Sequence, residues 1–220
     1  MDARRVTGIG MTSPRTRERM VARLNEAGIT DLRVLNAMRQ VPRHLFVEEA
    51  LASRAYDDTA LPIGYGQTIS QPFVVARMTQ VLLEGRELHK VLEVGTGSGY
   101  QAAVLASLVP QVFSIERLRV LHNRAQRLMR ELRLGNVRLY FGDGYKGWPA
   151  EAPFEGIILT AAPATVPKGL AEQLALGGRL VAPIGAGRNQ SLVVCERTDQ
   201  GLVRRDVSRV SFVPMKHGLG

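Results

Sequence analysis

The chain has 220 residues, of which 45% are hydrophobic and 22% are charged, as in a globular protein with one large core. It carries neither an apolar run long enough to cross a membrane nor the apolar core of a secretory signal, and its single cysteine, Cys195, has no disulfide partner in the chain. This composition argues against an integral membrane protein and a disulfide-stabilised secreted domain, so we expect a cytoplasmic protein.

The formal net charge of +9 is high enough to raise nucleic acid as a partner. The arginines are concentrated near the N-terminus and in one predicted helix around residues 118–132. Apolar residues at spacings of three and four form the inward stripe of that helix, so its arginines are expected to lie on the solvated face. We therefore expect acidic substrates rather than nucleic acid.

The N-terminal quarter of the chain is predicted to cover the rest of the domain. Residues 1–15 hold few large apolar groups and are expected to form a flexible basic arm, and residues 16–56 are expected to form a helical cap. Helical patterns lie at residues 20–27, 32–38 and 44–55. Residues 57–73 break every periodicity with two prolines and two glycines, which predicts a long ordered loop of functional importance.

Residues 74–220 are predicted to alternate helices and strands and to end in strands. Helices are predicted at residues 74–83, 100–108, around 118–132 and 166–175, and strands at residues 91–94, 112–116, 137–141, 156–160, 179–184, 191–197 and 203–212. This order predicts an α/β fold, a Rossmann-like doubly wound and mostly parallel sheet with antiparallel late strands and an N-terminal helical cap. We expect one domain over residues 16–220.

A glycine-rich turn follows the first strand of this sheet. Gly95, Gly97 and Gly99 are spaced as G-x-G-x-G, whereas a dinucleotide-binding turn reads G-x-G-x-x-G. Glu93 precedes them, and its carboxylate would repel a pyrophosphate but suits a ligand with a cationic amino group. The turn, with Thr96 and Ser98, resembles motif I of the S-adenosylmethionine (SAM) methyltransferases. A tight turn that binds no ligand is the alternative.

Acidic residues also end the next two predicted strands. We expect Glu116 to accept both hydroxyls of a ribose, and Asp143, between glycines, to accept the amino group of adenine. A surface glutamate and a turn aspartate without a ligand are the alternatives. Three acids without a phosphate-binding lysine favour SAM over a nucleoside triphosphate. The fourth strand end, residues 160–163, lacks the Asn/Asp-Pro-Pro-aromatic motif of enzymes that methylate base amino groups, so that activity loses support.

The loop sequence LPIGYGQTISQP at residues 61–72 carries the most specific signal. Together with the glycine turn, residues 142–144 and residues 210–215, it resembles the protein-L-isoaspartate O-methyltransferase family over about residues 16–216. The resemblance implies transfer of a methyl group from SAM to the free α-carboxylate of L-isoaspartyl residues in damaged proteins and peptides. S-adenosyl-L-homocysteine is then the product, and the ester initiates repair through a succinimide.

The resemblance also implies roles for individual residues. The catalytic residue is Ser70. Cofactor contacts are expected from Gln67, Thr68, Ile69, Glu93, Gly95, Thr96, Gly97, Ser98, Gly99, Glu116, Arg117, Asp143 and Gly144. Substrate contacts are expected from Ile63, Thr68, Ser70, Val210, Phe212, Val213 and Pro214. An exposed extended edge at residues 210–213 would accept the peptide as an added strand.

No metal is expected, and the partners are isoaspartyl-containing proteins and peptides, with a monomer favoured. Two rival functions remain open at this point. One is a SAM methyltransferase that acts on RNA or a small metabolite, and the other is a SAM-binding module without catalysis. A nicotinamide dehydrogenase is disfavoured by the glycine spacing.

Overall fold

The computed structural model describes residues 6–220 and places a seven-stranded sheet between two layers of packed side chains. The helices are α1 (Pro14–Glu26), α2 (Leu32–Gln40), α3 (Pro72–Leu83), α4 (Tyr100–Ala106), α5 (Arg119–Glu131) and α6 (Lys168–Glu172). The strands are β1 (Leu61–Gly64), β2 (Gln67–Ile69), β3 (Lys90–Val94), β4 (Gln111–Glu116), β5 (Val137–Phe141), β6 (Phe154–Leu159), β7 (Leu174–Ala186), β8 (Asn189–Thr198) and β9 (Gly201–Val210).

The large sheet has the strand order β5-β4-β3-β6-β7-β8-β9. The first five strands of that order run parallel, and β8 and β9 are antiparallel additions at one edge. The chain moves outward from β3 to β5 and then returns to β6 on the other side, which makes the end of β3 the switch point. The doubly wound, mostly parallel sheet expected from the sequence is confirmed.

Two apolar clusters cover the sheet, one on each face. Val91 of β3 packs with the cap helices and with α3 and α4, while its neighbours Leu92 and Val94 pack on the other face with α6. This alternation follows from the period of two along a strand. Because the first cluster runs from α1 into the sheet, the cap and the sheet share a core. Among the described residues, no helix combines the length and apolarity needed to span a bilayer.

The prediction of one helix over residues 44–55 is wrong. Two short 3₁₀ helices, Arg43–Phe46 and Glu49–Arg54, occupy this region instead. Arg43 is fully buried and donates from Nε to the carbonyl of Ala55 at 2.7 Å, which joins the two ends of the segment. A straight helix would hold these ends apart, so a long-range contact outweighs the local helix propensity.

The loop expected at residues 57–73 contains the β1–β2 hairpin, in which Leu61 pairs with Ile69. Gly64, Tyr65 and Gly66 all have positive φ in its turn. Three buried side chains, those of Leu61, Ile63 and Ile69, hold the hairpin on the core. Strands of four and three residues are too short for their alternation to be recognised in the sequence.

The helix expected at residues 166–175 is also too long, since α6 spans only Lys168–Glu172 and β7 begins at Leu174. The Gln173 side chain accepts from the Trp148 N–H and donates to the carbonyls of Lys146 and Gly169, which holds the chain at the point where it turns into β7. Toward the N-terminus, α1 begins at Pro14 and so includes the last two residues of the arm expected at residues 1–15. The first five residues of that arm lie outside the described residues.

Candidate active site

A cleft of about 940 Å³ lies at the carboxyl ends of β3, β4 and β6, beside the hairpin and the segment after β9. The sequence-predicted residues that line it are Gln67, Thr68, Ile69, Ser70, Glu93, Gly95, Thr96, Gly97, Ser98, Glu116, Arg117, Gly144, Val213 and Pro214. The structure thus brings the hairpin and the glycine turn together across one space. That juxtaposition joins the residues expected for the cofactor to those expected for the substrate.

Five predicted residues do not line the cleft: Ile63, Gly99, Asp143, Val210 and Phe212. Other residues line the cleft although no site role was expected for them: Val75, Met78, Val94, Tyr100, Gln101, Ile115, Leu118, Thr160, Ala161 and Lys216. Val75 and Met78 are three residues apart on α3, so helical periodicity carried a signal for them. Nothing in the local sequence pattern indicates Lys216.

The glycine turn is tied to β4. The N–H groups of Gly95 and Thr96 both donate to the Ile115 carbonyl, and that of Gly97 donates to Glu116 Oε2 at 2.8 Å. Gly95 has a φ of +102°, and a Cβ there would lie 2.4 Å from Thr160 Oγ1, so only glycine fits this close approach. These N–H groups therefore hold the turn in place against β4.

Glu93 is a carboxyl group with no exposure to solvent. The Ser114 hydroxyl donates to its Oε2, and Thr96 Oγ1 lies 2.6 Å from that hydroxyl, while Oε1 has no partner. Burial raises the pKa of Glu93 to about 8, although the Ser114 hydrogen bond opposes this rise and the Glu116 charge adds to it. A buried carboxyl with one unsatisfied oxygen in a cleft fits a cationic group of a ligand.

Glu116 is held more completely than Glu93. Its Oε2 accepts from Gly97 N–H, and its Oε1 accepts from Leu118 N–H at 2.9 Å. Each carboxylate oxygen has a second lone pair, so both retain capacity for another donor. Two backbone donors fix the orientation of this carboxylate without using up its acceptor capacity, which fits the two hydroxyls of a ribose.

Asp143 is engaged by the protein itself. Its Oδ1 accepts from Tyr145 N–H at 2.9 Å, and its Oδ2 accepts from Gly218 N–H at 2.9 Å. The Tyr145 ring stacks on His217 with centroids 3.6 Å apart. Asp143 thus anchors the segment after Met215 and does not itself line the cleft, whereas its neighbour Gly144 does.

Ser70 lines the cleft between β2 and α3, and its segment is fixed on both sides. On the hairpin side, Arg124 of α5 donates to the Ile63 carbonyl at 3.2 Å. On the helix side, Asp58 Oδ1 accepts the Phe73 N–H at 2.8 Å and so caps α3 from a distant part of the chain. These contacts give the serine a defined position relative to the glycine turn.

The segment expected to dock a peptide is already partly paired. Gln190 accepts from the Phe212 N–H at 2.7 Å and donates to the Phe212 carbonyl at 3.0 Å. The Val213 carbonyl accepts from Ala162 N–H, and Met215 N–H donates to the Ala162 carbonyl, each at 2.8 Å. The backbone N–H and carbonyl of Phe212 are thus hydrogen-bonded to the side-chain amide of Gln190, while Val213 and Pro214 are held beside the cleft.

Comparisons with known proteins agree with this geometry. A family model described as protein-L-isoaspartate(D-aspartate) O-methyltransferase matches residues 15–220. The protein-L-isoaspartate O-methyltransferase of Alkalilimnicola ehrlichii is 62% identical over 219 residues, which cover 99% of each chain. That of Halorhodospira halophila is 61% identical over 218 residues, again 99% of each chain.

Two solved structures are also similar. A protein-L-isoaspartate O-methyltransferase aligns with a TM-score of 0.84 and 30% identity, over 93% of this chain and 67% of its own. A protein of that description from Plasmodium falciparum, in complex with S-adenosyl-L-homocysteine, aligns with a TM-score of 0.79 and 26% identity, over 91% and 98% of the two chains. The chain belongs to the protein-L-isoaspartate(D-aspartate) O-methyltransferase family.

Proposed function

We propose that the cleft binds SAM and that Ser70 presents an isoaspartyl carboxylate to the methyl group. As a member of its family, the chain is a carboxyl methyltransferase that uses SAM to methylate L-isoaspartyl residues of proteins and peptides. The observation that carries the residue assignment is the cleft itself, where buried Glu93 and the Ser70 hairpin line the same space. The roles of the individual residues below are our proposal.

Three groups of this chain are suited to hold the cofactor. Glu93 takes the amino group with its unpartnered oxygen, and Glu116 takes the ribose hydroxyls. Adenine lies beside Gly144, which lines the cleft and which packs so closely on Val94 that a Cβ there would lie 2.5 Å from Val94 Cγ1. SAM supplies an electrophilic methyl group on a sulfonium ion. A cation of this kind matches a cleft lined by two buried carboxyl groups.

The acceptor is a carboxylate, which is already ionised at neutral pH because its ordinary pKa is about 4. The reaction therefore needs no general base. The Ser70 hydroxyl donates to one carboxylate oxygen and orients the other toward the methyl group, at the separation of roughly 3–3.5 Å that in-line attack requires. A neutral hydroxyl suits this task because a cationic donor would withdraw more electron density from the attacking oxygen.

Water exclusion completes the site. Ile69, Val75 and Met78 line the cleft beside Ser70 and are almost fully buried. An apolar surround strips water from the carboxylate and strengthens its attraction to the cationic ligand. After transfer, the ester makes the carbonyl a better target for the following backbone nitrogen. Methanol then leaves as the succinimide forms, and this step requires no further group of the chain.

The division of the chain is part of the same proposal. Residues 16–220 act as one domain, in which residues 16–56 cover the sheet, residues 57–73 carry the active-site serine and residues 74–220 form the sheet. The shared apolar cluster from α1 to β3 supports a single unit. We further propose a monomeric cytoplasmic enzyme whose partners are isoaspartyl segments of other proteins, with no role for nucleic acid or membranes.

A methylation assay tests the role of Ser70. Radiolabelled SAM is incubated with an isoaspartyl peptide or with its aspartyl twin, and only the isoaspartyl peptide should be labelled. Ser70→Ala should lower kcat about tenfold or more, as expected for the loss of one hydrogen bond made at the reacting group. Affinity for S-adenosyl-L-homocysteine, measured by calorimetry, should stay within about twofold of the wild-type value.

Ser107→Ala is the matched control. Ser107 is an exposed serine that follows α4, and its hydroxyl donates to the Ala103 carbonyl, outside the cleft. This variant should keep full activity. Equal labelling of both peptides would contradict the isoaspartyl specificity, and full activity of Ser70→Ala would remove Ser70 from the reacting site.

A further inference from the structure

A second groove lies between the end of α5 and the outer edge of β5, and none of its lining residues lines the cleft. The space over it, including open solvent, is about 1160 Å³, so the groove is shallow and open. Its apolar lining includes Leu134, Val137 and Leu139, and its charged lining is Arg130, Arg133 and Arg138. We call it the β5 groove.

Much of the β5 backbone is open on the side that faces this groove, although the Val137 N–H already donates to the Leu134 carbonyl at 3.3 Å. Within the described residues, β5 pairs only with β4 and ends the sheet. The Asn136 carbonyl accepts from Val112 N–H, and Gly142 N–H donates to the Glu116 carbonyl, so even-numbered positions bond toward β4. Because bonding alternates along a parallel strand, odd-numbered positions such as Leu139 turn their backbone groups outward. An open strand edge accepts another extended chain.

The charge of the groove is strongly positive. Arg138 pairs with Glu151 at 3.2 Å, whereas neither Arg130 nor Arg133 forms an ion pair with any residue that the structure describes. Both side chains are exposed. Two unpaired guanidinium groups beside an open strand edge are complementary to the carboxylates of an acidic extended segment.

Arg133 occupies a position that usually belongs to glycine. Its φ is +56°, and the Leu134 N–H donates back to the Met129 carbonyl at 3.0 Å, which is the hydrogen-bond pattern that ends a helix with a left-handed residue. A side chain in this conformation costs roughly 1 kcal/mol. Glycine would relieve that cost, so the arginine at this position is not explained by stability.

We propose that the β5 groove docks an acidic extended segment of a partner protein, which adds a strand to β5 and places carboxylates against Arg130 and Arg133. Single-stranded nucleic acid is the weaker alternative because it needs exposed aromatic faces on which bases stack. Trp148, the aromatic residue of the groove, already packs edge-on against Phe113 and lies over Tyr140, with centroids 5.3 and 4.9 Å away. This proposal depends only on the β5 groove and is independent of the methyltransferase activity.

Fluorescence anisotropy with a labelled peptide of alternating glutamate and valine, free of isoaspartate, tests the docking. The wild-type protein should bind it saturably, and Arg130→Gln and Arg133→Gly should each weaken binding about tenfold. Arg133→Gly should unfold at the same temperature as the wild type or higher, so weaker binding does not report misfolding. Arg127→Gln removes an exposed α5 arginine that does not line the groove, and it should bind within about twofold of wild type.

A second peptide tests the strand addition. N-methylation of every peptide nitrogen removes the donors on both edges of the peptide and should abolish binding. Equal binding of the methylated peptide would overturn strand addition, and wild-type affinity in Arg133→Gly would overturn the charge contact. If an oligothymidylate binds more tightly than the peptide and depends on the same arginines, the occupant of the groove is nucleic acid and not an acidic segment. Methylation of an isoaspartyl peptide should be unchanged in Arg133→Gly.

Discussion

Glu93 shows how burial couples the protonation of one side chain to the stability of the fold. Its carboxyl group is completely buried, and burial raises its pKa to about 8 from an ordinary value of 4.5. In the free protein this carboxyl is therefore protonated at neutral pH, because burial makes its charged form costly. In our proposal a cationic amino group binds beside Oε1 and offsets that cost, so ligand binding and deprotonation favour each other.

Glu93→Gln should therefore change two pH profiles. Because the folded pKa exceeds the unfolded one, the contribution of Glu93 to stability is fully present below pH 4.5 and is lost as pH rises toward 8. Thermal unfolding of the free wild type should show this decline, and the glutamine variant should lack it. Wild-type affinity for S-adenosyl-L-homocysteine should rise through the same range, while the variant binds weakly at every pH.

Glu131→Gln, on the exposed face of α5, serves as the control and should keep both wild-type profiles. Calorimetry at several pH values provides the affinities. A glutamine variant that binds as tightly as the wild type above pH 8 would show that Glu93 does not meet the amino group.

Gly95→Ala tests the close approach within the glycine turn. The added Cβ would lie 2.4 Å from Thr160 Oγ1 at a φ of +102°, so both space and backbone conformation oppose it. We expect a loss of about 2 kcal/mol or more in the free energy of unfolding, measured by urea denaturation. Gly135→Ala is the matched control, since a Cβ there meets nothing within 4 Å. Equal stability of the two variants would contradict the steric argument.

At the scale of elements, the strand ends of the main sheet form one side of the site, and two segments outside that sheet complete it. The β1–β2 hairpin and the residue that follows it bring residues 67–70 to the cleft. The segment after β9 brings residues 213–216 to the same cleft. Each is held by side chains from elsewhere, such as Asp58 for the first and Asp143 for the second. Their positions depend on contacts between distant parts of the chain.

His217→Ala tests the second of these segments. The stack of His217 on Tyr145 pins the segment beside Gly144, and an aromatic pair of this kind contributes about 1 kcal/mol. Affinity for S-adenosyl-L-homocysteine should fall about fivefold when it is lost. Leu219→Ala, an exposed neighbour in the same segment, should leave the affinity unchanged. Unchanged affinity in both variants would mean that the segment plays no part in binding.

At the scale of the whole molecule, the net charge of +9 biases encounters toward acidic partners. The KM for an acidic isoaspartyl protein should rise severalfold between about 50 and about 500 mM salt, because salt screens this attraction. The KM for a neutral isoaspartyl peptide should change little over the same range, and it is the control. Equal salt dependence of both substrates would contradict steering by net charge.

The glycine turn and the large sheet could be predicted because their signals are local. Gly95, Gly97 and Gly99 lie within five residues, and β5 has the bounds that its alternating sequence predicts. The 3₁₀ segments near Arg43, the β1–β2 hairpin and the shortened α6 could not be predicted. Each depends on a side chain such as Arg43 or Gln173 that bonds far along the chain.

The sequence by itself determined the order of the elements, the family and the set of acids at the strand ends, because these depend on residues close together in the chain. Only the tertiary structure decided that Glu93 has an unpartnered oxygen, that Asp143 is engaged by Gly218, and that Lys216 reaches the cleft. Hydrogen bonds and burial between distant segments set these properties, and a local pattern carries no information about which distant groups will meet.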